Sequence, residues 1–146
     1  MSVPDASPSA VPARAVAVGL RFELFVNDVA ASVHFYEEML GLRAPDGWDS
    51  EGYVQLREGA LSIGVQHHSR LPVTHYFNPD QLAGARGVGV EIVIEVDEVD
   101  CAFARAQDSA DRSGGRVEPI SDRPWGQRDF RLIDPDGYYL RVTSHE

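Results

Sequence analysis

The chain has 146 residues, 43% of them hydrophobic, and a formal net charge of -10 with a sequence pI of about 4.8. That length gives one domain, or two small halves sharing a core, and enough apolar residues to bury one. The acidic balance excludes a phosphate-binding nucleic-acid face and favours solubility or a cationic ligand. No apolar run approaches the ~20 residues of a membrane helix, so no membrane partner is expected.

Residues 1–19 are rich in Ala, Pro, Ser and Val, with Arg14 their only basic residue. They lack the basic start and apolar run of a signal peptide, and read as a disordered lead. The single cysteine, Cys101, rules out a disulfide framework within the chain and suits a reducing cytoplasm.

The chain then shows an internal duplication. Phe22–Glu38 reads F-E-L-F-V-N-D-V-A-A-S-V-H-F-Y-E-E, and Ile92–Arg105 reads I-V-I-E-V-D-E-V-D-C-A-F-A-R. Each is an apolar strand, a polar pair (Asn27-Asp28 or Asp97-Glu98) and a helix that ends at glycine. Each is followed by strand-like runs joined by a tight turn, and a unit repeated at this spacing implies half-domains that bury their faces together. The first unit spans residues 20–66, an irregular linker 67–89, and the second unit 90–146.

In the first unit, Leu20–Asn27 alternates as a half-buried strand, with Phe22, Leu24 and Val26 on one side and Arg21, Glu23 and Phe25 on the other. Asp28 caps a helix whose apolar face is Val29, Val33, Tyr36, Met39 and Leu40, and Gly41 closes it. Asp46–Gly52 is a polar loop carrying Trp48, and Tyr53–Gln66 is a hairpin turning at Glu58-Gly59. In the second unit, Ile92, Ile94 and Val96 oppose Glu91, Val93 and Glu95. A helix over Glu98–Ser113 ends at Gly114-Gly115. Gln127–Ile133 and Tyr138–Ser144 then form a hairpin around Asp134-Pro135-Asp136-Gly137, a strong turn signal.

The strand faces turned away from the helices are too polar for a dry core and too regular for random surface. They predict a ligand cleft that includes Glu23, Phe25, Tyr53, Gln55, Glu91, Glu95, Asp129, Tyr139 and Arg141. Glu23 and Glu95 are expected to pair with Arg57, Arg131 or Arg141, or to receive a cationic or hydrogen-bond-donating ligand. His67, His68 and His75 lie in the irregular linker at no tight metal-ligand spacing. Cys101 has no activating base and reads as inert. His34 reads as structural.

Val33-His34-Phe35-Tyr36 running to Leu40-Gly41-Leu42, and Pro124-Trp125-Gly126-Gln127-Arg128-Asp129-Phe130 followed by Asp134-Pro135-Asp136-Gly137, resemble motifs of the vicinal oxygen chelate superfamily. That superfamily comprises glyoxalase I, extradiol dioxygenases, fosfomycin-resistance enzymes and bleomycin-resistance proteins. The resemblance covers about residues 20–144 and implies an α+β fold: two βαβββ half-domains forming a cupped mixed sheet, usually in a dimer that swaps or shares halves. Metal-dependent members hold one divalent ion at four strand positions, which here carry Arg21, Ser62, Glu91 and Arg141. Arginine offers a metal no lone pair. The resemblance therefore implies no metal and no cofactor, with Glu91 paired instead to Arg21 or Arg141.

The nearest branch is then the bleomycin-resistance type, in which aromatic residues stack on planar ligand groups. Trp125 matches the tryptophan of that branch's P-W-G motif, and is either a ligand wall or an interface plug. Tyr53 and Trp48 lie where the branch places aromatics. The reading is a cytoplasmic homodimer that sequesters a planar aromatic or cationic drug or natural product. The alternatives are a lyase or isomerase using Glu23 or Glu95 as general base, and a metalloenzyme with ligands not recognised in the sequence.

Overall fold

The computed structural model describes residues 18–145; most of the N-terminal segment read as a disordered lead therefore lies outside the described residues. Strand β1 (Phe22–Val26) leads into helix α1 (Val29–Leu40), then β2 (Val54–Glu58) and β3 (Leu61–His67). After the linker come β4 (Glu91–Val96), α2 (Val99–Ser113), β5 (Arg116–Val117), β6 (Ser121–Asp122), β7 (Arg128–Ile133) and β8 (Tyr139–Ser144). The fold is α+β, with two helices and two mixed sheets.

The first sheet has the order β1-β3-β2, with β1 parallel to β3 and β2 antiparallel to it. The second has the order β4-β8-β7-β5, again with one parallel pair, β4 with β8, and β6 paired to β7. The repeat is visible in this topology: β1, α1, β2 and β3 correspond to β4, α2, β7 and β8. The counterpart of β5 shrinks to a single bridge between Arg43 and Arg57, which is why the sequence of the first half shows only a hairpin after its helix. The α+β fold expected from the resemblance is present, with one mixed sheet in each half.

The helix ends follow the sequence. Asp28 accepts a hydrogen bond from the Ala31 amide at 3.0 Å, satisfying one of the free N–H groups of the first turn. Gly41 and Gly114 end α1 and α2 at φ of 70° and 74°, a left-handed conformation that costs glycine nothing. Glu98 precedes α2 without capping it through its side chain, so Asp97-Glu98 only partly repeats Asn27-Asp28.

The core is continuous across both halves. Val33, Phe35, Tyr36, Leu56, Ile63 and Val65 are fully buried in the first half, and Phe130, Leu132, Leu140 and Val142 in the second. The strand residues among them fall on every second position, as strand geometry requires, and Val33, Phe35 and Tyr36 come from the buried side of α1. The two helices pack on one another, and each lies on the apolar face of its own sheet. The polar face of each sheet is thus turned away from the helices.

The linker is ordered around one side chain. His68–Arg70 forms a single 3-10 turn, and Arg86 is 6% exposed. Arg86 donates to the carbonyls of Leu82 and Phe25 at 2.7 and 2.5 Å, and to Asn27 Oδ1 at 2.6 Å. It also lies 3.7 Å from Asp136 Oδ1. A linker residue therefore ties the end of β1 to the turn of the last hairpin.

Candidate functional site

Two polar sheet faces carry the residues singled out in the sequence. On the first sheet, register aligns Glu23 with Gly64 and Gly64 with Gln55. The Tyr53 hydroxyl donates to Glu23 Oε1 at 2.7 Å, and Arg21 pairs with the same carboxylate. Gly64 makes this possible, because a Cβ there would stand 2.2 Å from Tyr53 Oη and 2.5 Å from Glu23 Oε2. Partial burial and the Glu23 hydrogen bond push the Tyr53 phenol up to about 12. Beside this group Gln55 Nε2 donates to Ser62 Oγ at 2.7 Å.

Phe25, on the same strand face, is covered by the linker. Its ring meets His75 at 5.4 Å and Phe77 at 5.7 Å, both edge-on. Phe22, Phe25, Phe77, Val88, Ile92 and Tyr138 contribute to a largely apolar cavity of about 380 Å³, which Glu23 and Tyr139 also reach. His67 and His68 stack at 4.4 Å, and His67 Nδ1 accepts from the Ser69 amide.

On the second sheet the polar face is a charge cluster. Asp129 is fully buried, with Arg123 Nε at 2.8 Å and Arg131 Nε at 3.3 Å from Oδ1. Arg131 also donates to the Tyr139 hydroxyl at 3.1 Å and lies over that ring. Arg141 Nε lies 2.6 Å from Glu91 Oε1, so the pairing expected for Glu91 is made with Arg141, while Arg21 is taken by Glu23. Glu95 departs from expectation: its partner is His145 at 3.6 Å. In register Glu95 aligns with Thr143, two residues along β8 from Arg141, and His145, just past the end of β8, is what reaches it. Glu23 departs likewise, being held by Arg21 and Tyr53 rather than by an arginine of another strand.

The two tryptophans part company. Trp48 is half-buried against the core and meets His34 of α1 edge-on at 6.2 Å, which places it with the helix rather than with either polar face. Trp125 is 57% exposed in the loop between β6 and β7, and its Nε1 donates to Gln127 Oε1 at 3.1 Å. Two residues earlier, Arg123 reaches Asp129, so the Trp125 loop is anchored to the charge cluster.

The sequence profile of the Glyoxalase/Bleomycin resistance protein/Dioxygenase superfamily matches residues 20–142. The chain belongs to this superfamily. No curated protein matches it by sequence. Among solved structures it is similar to TioX from Micromonospora sp. ML1, with a TM-score of 0.68 and 21% identity over 89% of this chain and 100% of that one. It is also similar to the bleomycin-binding protein from Streptomyces verticillus complexed with copper(II)-bleomycin, with a TM-score of 0.58 and 24% identity over 90% and 98% of the chains. A bleomycin resistance determinant encoded on transposon Tn5 aligns with a TM-score of 0.61 and 18% identity over 89% and 99%.

At the four positions where the resemblance puts metal ligands in this superfamily, the donor set does not fit a divalent ion. Arg21 and Arg141 bring fixed positive charge and no lone pair, and each already faces a carboxylate. Only Ser62 and Glu91 remain as oxygen donors.

Sequence reasoning did not single out Arg86, Arg123, Gly64 or Phe77, and it weighed His75 only as a metal ligand, not as a neighbour of Phe25. Alternation could have found Gly64, which falls in phase with Ser62 on β3. No periodic signal marks the linker residues.

Proposed function

We propose that this superfamily member is a metal-free binding protein of the bleomycin-resistance type, which protects its host by sequestering a planar drug or natural product. The observation that carries the reading is the replacement of ligand-type donors by Arg21 and Arg141 on faces that keep aromatic and hydrogen-bonding side chains. Without a bound ion to act as Lewis acid, such a cleft retains the means to bind and loses the means used by the metal-dependent relatives. Neighbours described as a bleomycin-binding protein and a bleomycin resistance determinant support it.

Both polar faces look away from the shared helices, so each is open on one side. We place the site in a homodimer whose copies close these faces, with Trp125 as an aromatic wall, and we place the protein in the cytoplasm on the strength of its one exposed, free cysteine. The test is expression in a sensitive host challenged with bleomycin and a panel of planar natural products. Raised survival with the compound recovered unaltered by mass spectrometry is expected. A modified product would instead establish a lyase- or isomerase-type enzyme, and sedimentation showing only single chains at micromolar concentration would remove the shared cleft.

A further inference from the structure

We propose that Arg141, at the centre of the second sheet's polar face, is the seat for the carboxylate of a planar aromatic acid. This rests on the binding reading above and names the charge of its ligand. Arg141 lies directly across the ladder from Arg131, and like charges placed opposite one another destabilise a strand pair. Arg131 is fully engaged, with Asp129 and the Tyr139 hydroxyl. Arg123 donates to the same buried Asp129. Three guanidiniums thus contact two carboxylates, Asp129 and Glu91, while Glu95 of the same face lies against His145, which leaves one positive charge over in this contact network.

That surplus falls on Arg141. Its Nη1 lies 4.0 Å from Asp129 Oδ2, and its Nε, although 2.6 Å from Glu91 Oε1, is buried without a hydrogen-bond partner among the described residues. The contact with Glu91 is Coulombic, with the N–H not aimed at the oxygen. The Arg141 side chain is 22% exposed and that of Glu91 40%, so the guanidinium is largely desolvated yet reachable, and Glu91 can swing aside. A carboxylate meets a guanidinium fork through two parallel hydrogen bonds. It brings one negative charge, where a phosphate would set about two against Asp129 and Glu91. On the other side of Arg141 in register stands Val93, 44% exposed, an apolar ledge next to the fork that suits the ring of an aromatic acid.

The experiment is calorimetric titration of the full chain with 2-naphthoate, its neutral isostere 2-naphthamide, and 2-naphthylmethylamine. Naphthoate is expected to bind at least about tenfold tighter than naphthamide, equivalent to about 1.4 kcal/mol, and the amine weakest. In Arg141→Met, naphthoate should fall to the affinity of naphthamide. Should that variant unfold because Glu91 is left unpaired, Glu91→Gln with Arg141→Met removes the orphaned charge. Should both unfold, the wild-type preference decides. Equal binding of naphthoate and naphthamide, or an amine that binds best, overturns the carboxylate seat while leaving planar-ligand binding intact. A preference that survives in a folded Arg141 variant overturns it too. Failure of all three probes overturns the seat and counts against the sequestration reading as well.

Discussion

The β2–β3 and β7–β8 hairpins occupy equivalent places in the two halves, yet their turns behave differently. The second turn, Asp134-Pro135-Asp136-Gly137, reaches into the first half. Asp136 Oδ1 accepts from the Asn27 amide at 2.9 Å, Asp134 Oδ2 accepts from the Tyr36 hydroxyl at 2.7 Å, and the Tyr138 hydroxyl donates to the Phe25 carbonyl at 3.1 Å. The first turn, Gly59-Ala60, carries no side chain that could make such contacts. It borders an open groove of about 790 Å³ against β4 and α2. A duplicated backbone therefore does not duplicate its chemistry: one turn joins the halves, and the other leaves a gap.

The comparison breaks most visibly at Arg86, which serves the second turn alone. Its side chain and that of Asp136 are 5% and 3% exposed, and removing one partner of a buried ion pair costs about 3–5 kcal/mol. Arg86→Met should lower the urea-unfolding free energy by that amount. A substitution in the first turn, such as Ala60→Ser, should change it by less than about 0.5 kcal/mol. Equal effects at the two turns would show that the halves are held by the apolar core alone.

The same turn carries a pH dependence that its counterpart lacks. Burial pushes Asp134 up to about 6, and the hydrogen bonds it accepts from Tyr36 and from the Tyr138 and Asp136 amides pull the other way. An unfolded aspartate titrates near 4, so between about pH 4 and 6 the native chain holds a proton that the unfolded chain has released. Stability from this group is complete below about pH 4 and is lost as pH rises through 6, by on the order of 2–3 kcal/mol. Denaturation across this range should show a downward slope with pH that Asp134→Asn removes. An unchanged slope in that variant would mean that other groups produce it.

Much of this was legible in the chain. The repeat, the phase of each long strand and the Asp-Pro-Asp-Gly turn follow from alternation and turn chemistry, because one buried sheet face forces a period of two. Alternation likewise set Glu91 and Arg141 on one face. What it could not show was who pairs with whom across strands. Glu23 found Arg21 and Tyr53, Glu95 found His145, and Asp129 gathered arginines from three segments. Arg86 was invisible for the same reason: it lies in a segment without periodicity, and its partners at the end of β1, Asn27 and Phe25, are 59 and 61 residues away. Trp48 and Trp125 sit in loops that precede the equivalent strands β2 and β7, and nothing in their composition indicates that one turns inward and the other outward.

On the faces themselves the first hairpin is the more easily perturbed. Gly64→Ala places a methyl where the Tyr53 hydroxyl and the Glu23 carboxylate meet, and both are side-chain ends that can move away. Loss of this exposed hydrogen bond should cost about 1 kcal/mol. It should also bring the Tyr53 phenol down from about 12 toward its ordinary value of about 10, read by tyrosinate absorbance against Tyr53→Phe. If the phenol stays high, burial alone sustains it, and the Glu23 contact is not what orders this face.

The smallest effect on stability is expected at Trp125, and it separates the two loops that lead into the hairpins. Trp48 packs on the core, whereas Trp125 is 57% exposed, with its indole N–H on Gln127. Trp125→Ala should therefore alter the unfolding free energy by less than about 0.5 kcal/mol. Stacking a planar group on an indole contributes about 0.5–1.5 kcal/mol beyond the area it buries, so affinity for a planar ligand should fall about tenfold or more. Fluorescence titration and sedimentation of the same preparation distinguish the two uses of the ring. Weakened binding in an intact dimer makes Trp125 a ligand wall. A dissociated chain that still binds assigns it to the interface between copies, and unchanged affinity in an intact dimer removes it from the site.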